Sequence, residues 1–263
     1  MDFLTHDTDC MSRLTDIVWQ LYKARENFNT LQIEFRWALE HAAELPPQAA
    51  RLMLRTFLWG RRPGGKGGSP GGFRQQKHTW TERIYIEKPA RWRSESIAEG
   101  RGPSIRVIDG TRRWILTPNN EFHTNELPAG LDVPVRREPG SLGSPSTLAE
   151  ALADHPCLDP SFILCFFSLE PVGEDSWAGR AALRVRAFPR NGRKLFESMF
   201  YDADEVEFWM DKERGVILRY QTKAKRGLFG VIEALRVVFD QPIPEDLFVP
   251  PRNFRGPVHL YPS

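Results

Sequence analysis

The amino-acid sequence predicts an α+β fold built mainly on an antiparallel β-sheet. Short runs of alternating apolar and polar residues recur along the chain, and turn signals such as Asp109-Gly110 separate several of them. Helix-like spacing of apolar residues is limited to a few short stretches. Closely spaced strands with tight turns are typical of an antiparallel meander, not of a sheet built from alternating strands and helices.

Length and composition set the broad class of the protein. The chain has 263 residues, 41% of them hydrophobic, and we expect one large domain over residues 1–263 in preference to two smaller ones. Basic and acidic residues nearly balance, 36 against 34, so no overall field attracts nucleic acid or an anionic membrane. Cys10, Cys157 and Cys165 form no CxxC pair, and we expect reduced thiols.

The first predicted elements are a helix and a strand. A helix capped by Ser12 would bury a stripe of apolar residues, namely Leu14, Ile17, Val18, Leu21, Tyr22 and Phe28. Residues 31–39 then alternate with period two and place Phe35 and Trp37 on one face. This is the clearest strand in the sequence, and its apolar face is either plain sheet core or the lining of a ligand cavity.

Residues 40–76 carry weaker signals. A short helix that grades into a strand is predicted over residues 40–56, followed by a flexible, basic, glycine-rich loop at about residues 60–72. Lys66 in this loop lacks the residue spacing of a phosphate-binding loop. The loop is therefore interpreted as either a lid or an insertion.

Four more strands are predicted over residues 77–87, 91–97, 104–108 and 113–117. Their inward positions carry Trp80, Ile84, Trp92, Trp114 and Leu116. We expect the tryptophans among them, together with Trp37, to lie on one face of the sheet and to form one wall of the protein interior.

The middle of the chain is predicted to be less regular. Residues 119–146 are rich in Pro, Gly and charge and suggest an irregular connection, with a short helix to follow up to residue 154. A second helix is predicted over residues 161–168, because Asp159-Pro160 suits a helix start. It carries Phe162 and Phe166 and is apolar on nearly all sides, so it must be covered. Strands are expected over residues 176–188 and 195–201.

The stretch from Asp204 to Pro251 predicts a hairpin and one more strand. Residues 205–210 and 216–223 form the hairpin, with Gly215 ending its turn in a positive-φ conformation. Residues 231–239 follow, with Val231, Leu235, Val237 and Phe239 on one parity. The prolines after residue 240 end the sheet, and we expect this stretch to be its terminal edge.

The order of these motifs resembles the LolA/LolB superfamily of lipoprotein carriers and its lipid-binding and anti-sigma-factor relatives. The resemblance spans most of the chain, and each motif alone is weak. The motifs are residues 29–35 (NTLQIEF), 89–93 (PARWR), 109–114 (DGTRRW), 178–185 (AGRAALRV), 208–219 (FWMDKERGVILR) and 243–250 (IPEDLFVP).

This resemblance implies a strongly curved antiparallel β-sheet, an unclosed barrel, with helices packed in its concave face and an apolar cavity between the layers. The chain departs from the carriers in two respects. Its first residues, MDFLTHDTDCMSR, lack the features of a secretory signal peptide, so we expect a cytoplasmic protein. It also carries the glycine-rich insertion. No stretch approaches the roughly 20 apolar residues of a membrane span.

No catalytic or metal-binding motif stands out in the sequence. The six histidines lack the spacing of a zinc site, and the sequence contains no GxSxG elbow. Cys157 lies two residues after His155, but closeness along the chain is no evidence for a catalytic Cys-His pair. The arginines and tryptophans could bind single-stranded nucleic acid. Because they alternate between opposite parities, a core face and a solvated face explain them better.

We therefore expect a non-catalytic protein, without cofactor or metal, that binds a lipid, an acyl chain or another apolar ligand. The alternative is a protein-interaction or regulatory domain whose cavity is collapsed. An enzyme is the third class. The predicted cavity wall consists of Phe35, Trp37, Trp80, Ile84, Trp92, Trp114, Leu116, Phe162 and Phe166.

Overall fold

The computed structural model describes residues 14–40, 77–126, 155–190, 203–223, 229–251, 254 and 256–260. Four predicted features lie outside these residues: the helix within 40–56, the glycine-rich loop at 60–72, the helix that ends at residue 154, and the strand over 195–201. Of the helices in the described part, none is long and apolar enough to span a membrane.

The described residues form one twelve-stranded sheet with little helix. Helix α1 covers residues 14–23 and continues into a 3₁₀ turn at Ala24–Glu26, helix α2 is Ser161–Phe166, and a second 3₁₀ turn is Glu245–Phe248. The strands are β1 Thr30–Glu40, β2 Lys77–Glu87, β3 Arg91–Ala98, β4 Ser104–Asp109, β5 Arg112–Leu116, β6 Phe122–Glu126, β7 Phe167–Trp177, β8 Arg180–Pro189, β9 Glu205–Asp211, β10 Ile217–Lys223, β11 Phe229–Phe239 and β12 Val258–Leu260.

The sheet is curved, unclosed and mixed. The strand order is β12-β6-β5-β4-β3-β2-β1-β11-β10-β9-β8-β7, so β12 and β7 are its two edges. Neighbouring strands are antiparallel except β12, which pairs with β6 in parallel. The prediction of a purely antiparallel sheet is wrong at that edge. The prediction that residues 204–251 form the terminal edge is also wrong, because β11 pairs with β1 in the middle of the sheet.

A β-bulge in the central pair changes which residues of β11 face the core. The register of β1 against β11 shifts between Glu34 and Phe35, which pair with Arg236 and Ala234. Leu235 lies between these partners and is 49% exposed, while Ala234 is buried. The predicted common parity of Val231, Leu235, Val237 and Phe239 therefore fails, because a bulge inserts one extra residue and reverses the alternation.

The β9–β10 hairpin is formed as predicted. The Asp211 side chain accepts hydrogen bonds from the N–H groups of Glu213 (3.0 Å) and Arg214 (2.8 Å). Gly215 ends the turn with φ of 73°. Helix α1 rests on this turn, so that a Cβ atom at Gly215 would lie 2.2 Å from the carbonyl oxygen of Gln20. The glycine thus serves both the turn and the approach of the helix.

The buried stripe of α1 is narrower than predicted. Ile17 and Leu21 are buried, whereas Val18 and Tyr22 are 40% and 57% exposed. Trp19 is also exposed, stacks on Tyr22 with ring centroids 6.3 Å apart, and lies under the Lys23 ammonium. The helix contacts the sheet along one line of residues.

Three further differences from the sequence prediction lie between residues 122 and 189. Residues 122–126 form β6 instead of part of an irregular connection. Helix α2 ends at Phe166, two residues earlier than predicted, and β7 begins at Phe167. The strand predicted over residues 176–188 is interrupted by a turn at Ala178 and Gly179, both at positive φ. The prediction placed one strand where two strands and their turn are found.

Candidate functional site

Apolar side chains cover both faces of the sheet, in two separate clusters. The larger cluster contains residues of both halves of the sheet together with Ile17 and Leu21 from α1 and Ile163 from α2. The smaller cluster consists of Val107, Trp114, Phe122, Ile243 and Phe248, with Tyr85, Ile105, Leu116, Leu247 and Phe254 against it. The C-terminal segment with the 3₁₀ turn Glu245–Phe248 covers this second cluster.

Most of the predicted wall lies in the larger cluster. Phe35, Trp37, Ile84 and Trp92 are at most 5% exposed there, and Trp80 and Phe166 pack against them while partly exposed. The rings of Trp37 and Trp80 stack with their centroids 5.0 Å apart. These residues meet because β1 and β2 pair in a register that places Trp37 opposite Trp80.

Trp114 and Leu116 lie on the other face of the sheet. Trp92 pairs with Ile108 on β4, and Trp114 pairs with Val107, the preceding residue of that strand. Because consecutive residues of a strand point to opposite faces, Trp92 and Trp114 cannot share one wall. The expectation of a single tryptophan wall is therefore corrected for Trp114 and Leu116. Phe162 is in α2, but its side chain lies outside the described part of the chain.

His155 lies against Phe35 and Trp37, two aromatic residues of the larger cluster, whose side of the sheet is called the aromatic face below. Its ring stacks on Phe35 with centroids 4.9 Å apart and meets Trp37 edge-on at 5.6 Å. Its Nε2 lies 3.6 Å from an Oε2 atom of Glu82, and the other Glu82 oxygen accepts a hydrogen bond of 2.7 Å from the Ser94 hydroxyl. A histidine, a carboxylate and a hydroxyl thus form a connected polar group among apolar side chains.

Electrostatics at Glu82 favour the ionised carboxylate. Burial alone raises the pKa of Glu82, but the close approach of His155, the hydrogen bond from Ser94 and the charge of Arg106 outweigh it. The pKa of Glu82 is therefore below its ordinary value of 4.5. A carboxylate held ionised in this way contributes to stability only while it stays deprotonated.

This lowered pKa predicts an acid-dependent loss of stability that Glu82→Gln removes. With the folded-state pKa below the unfolded one, the contribution of Glu82 is complete above pH 4.5 and is lost as the pH falls through the folded-state pKa. Urea titrations at several pH values should therefore show a shallower acid decline in Glu82→Gln than in the wild type. Glu99→Gln, at an exposed position, serves as the control. Parallel curves for the wild type and Glu82→Gln would contradict the prediction.

Cys157 is adjacent to this polar group but does not have the properties of a nucleophile. Its backbone N–H donates a hydrogen bond of 3.2 Å to Nδ1 of His155, and its side chain is buried. Burial, with a further contribution from the nearby Glu82 charge, raises the pKa of the Cys157 thiol well above its ordinary value. Since the thiolate is the reactive form, this cysteine is held in an inert state.

Trp92 supplies a buried hydrogen-bond donor. Its side chain is 5% exposed, and its Nε1 has no hydrogen-bond partner among the described residues. By contrast, Nε1 of Trp114 on the other face donates to the carbonyl oxygen of Phe248 at 3.2 Å. Buried donors are normally paired, so the Trp92 indole marks a place where an acceptor is needed.

The described residues also form an open depression that borders the aromatic residues at Trp80. It has a volume of about 200 Å³ and is lined by Arg36, Thr79, Trp80, Thr81, Ile97 and Glu99. Arg36 and Thr81 are cross-strand partners on the side opposite Trp37. The depression is open and mixes apolar with polar and charged side chains, and so differs from the enclosed apolar cavity that the sequence predicts.

Arginine side chains lie over tryptophan rings at two places among the described residues, contrary to expectation: Arg93 over Trp114 at 5.8 Å, and Arg219 over two rings. The Arg219 guanidinium lies 4.4 Å from the ring centroid of Trp177 and 4.6 Å from that of Trp209. Trp209 is nevertheless only 5% exposed. A ring covered in this way offers no open platform on which a base could stack.

Sequence reasoning identified the aromatic residues of this site but missed Glu82 and His155. One signal was available for Glu82, since it shares the parity of Trp80 and Ile84 on β2 and so is a charged residue on an apolar face. His155 had no comparable signal. It reaches the sheet through the segment before α2, whose path depends on tertiary packing.

Comparisons with known proteins give likeness of structure but not of sequence. No protein-family model matches the chain, and no curated protein matches it at a significant level. Among solved structures, MucB is 17% identical over 94% of this chain and 66% of its own, with a TM-score of 0.49. An uncharacterized conserved protein from Thermus thermophilus is 10% identical over 94% and 99%, with a TM-score of 0.46.

A LolA superfamily protein from Nitrosomonas europaea is also among these structures, which agrees with the resemblance seen in the sequence. It is 8% identical over 90% of this chain and 97% of its own, with a TM-score of 0.31. At such identities the likeness extends to the fold alone. The chain spans less than two thirds of the MucB chains it matches, 66% in one structure and 60% in two others.

These comparisons contradict the expected cytoplasmic location. The matching structures include a putative outer membrane lipoprotein-sorting protein domain and MucB in complex with MucA(peri), and such neighbours are periplasmic or outer-membrane-associated. The expectation rested on the first residues of the sequence alone, and those residues do not determine the compartment. The cytoplasmic assignment is therefore withdrawn.

Proposed function

We propose that this chain is a non-catalytic binding protein that takes up a lipid, an acyl chain or a similar apolar ligand between the sheet and its helices. In this proposal the helices lie in the concave face, and residues 1–263 form one domain. The pairing of β1 with β11 supports the single domain, because it joins the two halves of the chain in one sheet. The proposed wall comprises Phe35, Trp37, Trp80, Ile84, Trp92, Phe162 and Phe166.

The buried Trp92 indole is the observation that carries this proposal. An apolar wall that contains a buried indole N–H without a partner suits a molecule that is mostly hydrocarbon and has a hydrogen-bond acceptor. The carbonyl group of an acyl ester or a fatty acid has this chemistry. Such a ligand would satisfy Nε1 of Trp92 while its chain packs along Trp37 and Trp80.

The state of Cys157 supports a binding role over a catalytic one. Its backbone N–H donates to His155, whose ring approaches Glu82, and these three residues are the combination closest to a catalytic group on the aromatic face. Because burial keeps the thiol protonated, this group lacks a nucleophile. We therefore assign Glu82, Ser94 and His155 a structural role in holding the wall.

A second candidate function is protein interaction with a collapsed cavity. One observation favours it: Phe35, Trp37, Ile84 and Trp92 are already at most 5% exposed. If the chain's own side chains fill the space completely, no ligand enters, and the protein acts through its surface.

Native mass spectrometry and solvent extraction of freshly purified protein distinguish the two functions. A bound apolar molecule, released by solvent, is expected for the first. Delipidated protein should then bind a fluorescent acyl-chain probe, with energy transfer from tryptophan. An apo protein that melts cooperatively and takes up no probe would overturn the ligand proposal and favour the second function.

Two tryptophan variants localise the uptake. Trp37→Leu changes the proposed wall, and Trp114→Leu changes the opposite face with the same substitution. Probe affinity should fall in Trp37→Leu and stay unchanged in Trp114→Leu, provided that both variants still melt cooperatively. Equal effects in the two variants would contradict the assignment of the wall, whereas the extraction result would still stand.

A further inference from the structure

The parallel edge of the sheet brings two distant histidines together. Strand β12 pairs with β6 in a register that sets His259 directly beside His123. Adjacent partners in a parallel pair point to the same face. The two imidazole rings stack with their centroids 4.7 Å apart and an angle of 16° between their planes.

Glu121 completes a three-residue group at this edge. One of its carboxylate oxygens lies 3.6 Å from Nε2 of His123. One donor atom each from Glu121, His123 and His259 can be chosen so that all three lie within 4.8 Å of one another. Tetrahedral zinc, with bonds of about 2.0–2.2 Å, needs its ligands about 3.3 Å apart. Binding therefore requires the side chains to rotate, so that the donor atoms approach and the lone pairs of the two stacked rings converge on the ion.

The backbone that presents these side chains is held by several contacts. The N–H of Thr117 donates to the carbonyl of Glu121 at 2.9 Å, and the N–H of Phe122 donates to the carbonyl of Pro257, also at 2.9 Å. Gly256 fits closely, since a Cβ atom there would lie 2.1 Å from the carbonyl oxygen of Asn120. The turn before β6 and the segment before β12 are thus fixed against each other.

We propose that Glu121, His123 and His259 form a binding site for a divalent first-row transition metal ion such as Zn²⁺. Two imidazoles and one carboxylate are suitable ligands for this class of ion. Three protein ligands leave a fourth position for water or another molecule. Glu121 and His259 are exposed enough to admit the ion from solvent, the Glu121 side chain at 43%.

The bound ion would fasten the last described strand to the sheet. Strand β12 pairs through only three residues, Val258–Leu260. Ligands on both β6 and β12 would add a cross-link that does not depend on the length of the strand. Metal binding should therefore stabilise the C-terminal segment over the smaller cluster, because an ion that binds the folded state alone shifts the equilibrium towards it.

Titration of the tag-free full chain with Co²⁺ and Zn²⁺ tests the site. We expect one ion per chain, a cobalt absorption spectrum without a thiolate charge-transfer band, and a higher melting temperature with zinc. His123→Ala and His259→Ala should each weaken binding by about 100-fold or more, since loss of a residue that merely orients a ligand already costs about 10–100-fold, and Glu121→Gln somewhat less. Val258→Thr, on the same strand but outside the ligand set, is the matched control and should bind like the wild type.

Three outcomes would overturn the proposal. The first is no saturable binding at micromolar metal. The second is binding that survives all three ligand substitutions. The third is a cobalt spectrum with thiolate character, which would assign the ion to cysteine instead. Because each variant can be checked for cooperative melting without metal, a folding defect is distinguishable from the loss of a ligand.

Discussion

Gly215→Ala is expected to lower the free energy of unfolding by about 2–5 kcal/mol, from left-handed backbone strain and from overpacking. Gly215 has φ of 73°. An added Cβ would lie 2.2 Å from the carbonyl oxygen and 2.8 Å from the carbonyl carbon of Gln20, which are backbone atoms of α1. Either the turn or the helix must move. Urea denaturation followed by circular dichroism measures the change.

Gly179→Ala separates the two causes. Gly179 has a similar φ of 76°, but nothing lies within 4 Å of the position that an added Cβ would occupy. Its substitution should cost only the backbone strain of about 1–2 kcal/mol. Equal losses in the two variants would show that α1 gives way without cost, and would contradict its close packing on the β9–β10 turn.

Trp114→Ala is expected to cost about 3–5 kcal/mol, as for other large-to-small changes of a buried aromatic residue. The side chain is 1% exposed and belongs to the smaller cluster. The substitution also removes the hydrogen bond from Nε1 to the carbonyl oxygen of Phe248, which leaves that acceptor without its indole donor. Thermal and urea unfolding provide the measurement.

Trp19→Ala is the control for this prediction, because Trp19 is 56% exposed on α1. Its change should stay within about 0.5 kcal/mol, as is usual for surface substitutions. If Trp114→Ala were no more costly than Trp19→Ala, the C-terminal segment would not form a second core with the sheet.

The sequence was informative where a strand alternates without interruption. β2 has the predicted bounds, and Leu31, Ile33, Phe35 and Trp37 of β1 are all buried, as their spacing indicates. Alternation failed for β11, because the bulge opposite Glu34 and Phe35 arises from pairing with a distant strand. β6 and β12 were missed because short polar strands such as FHTNE owe their conformation to partners and not to their own composition.

In the candidate site, too, local alternation predicted some features, while others depend on pairing between distant strands. Parity within a strand identified the aromatic residues, but it cannot show whether Trp92 and Trp114 share a face, since that depends on the register across β3, β4 and β5. The pairing of His123 with His259 likewise depends on a parallel contact between segments far apart in the chain. Local sequence patterns contain no information on such contacts.

The central position of β1 and β11 has a consequence for the order of folding. Strands β2 to β6 form one arm of the sheet and β7 to β11 the other, and in each arm successive strands pair with chain neighbours. The two arms are joined by the pairing of β1 with β11, which are far apart in the chain. The contact between Arg36 and Glu233 in this pair spans 197 residues. Closing so long a loop carries the largest entropic cost in the sheet, so we expect the arms to assemble first and their junction late.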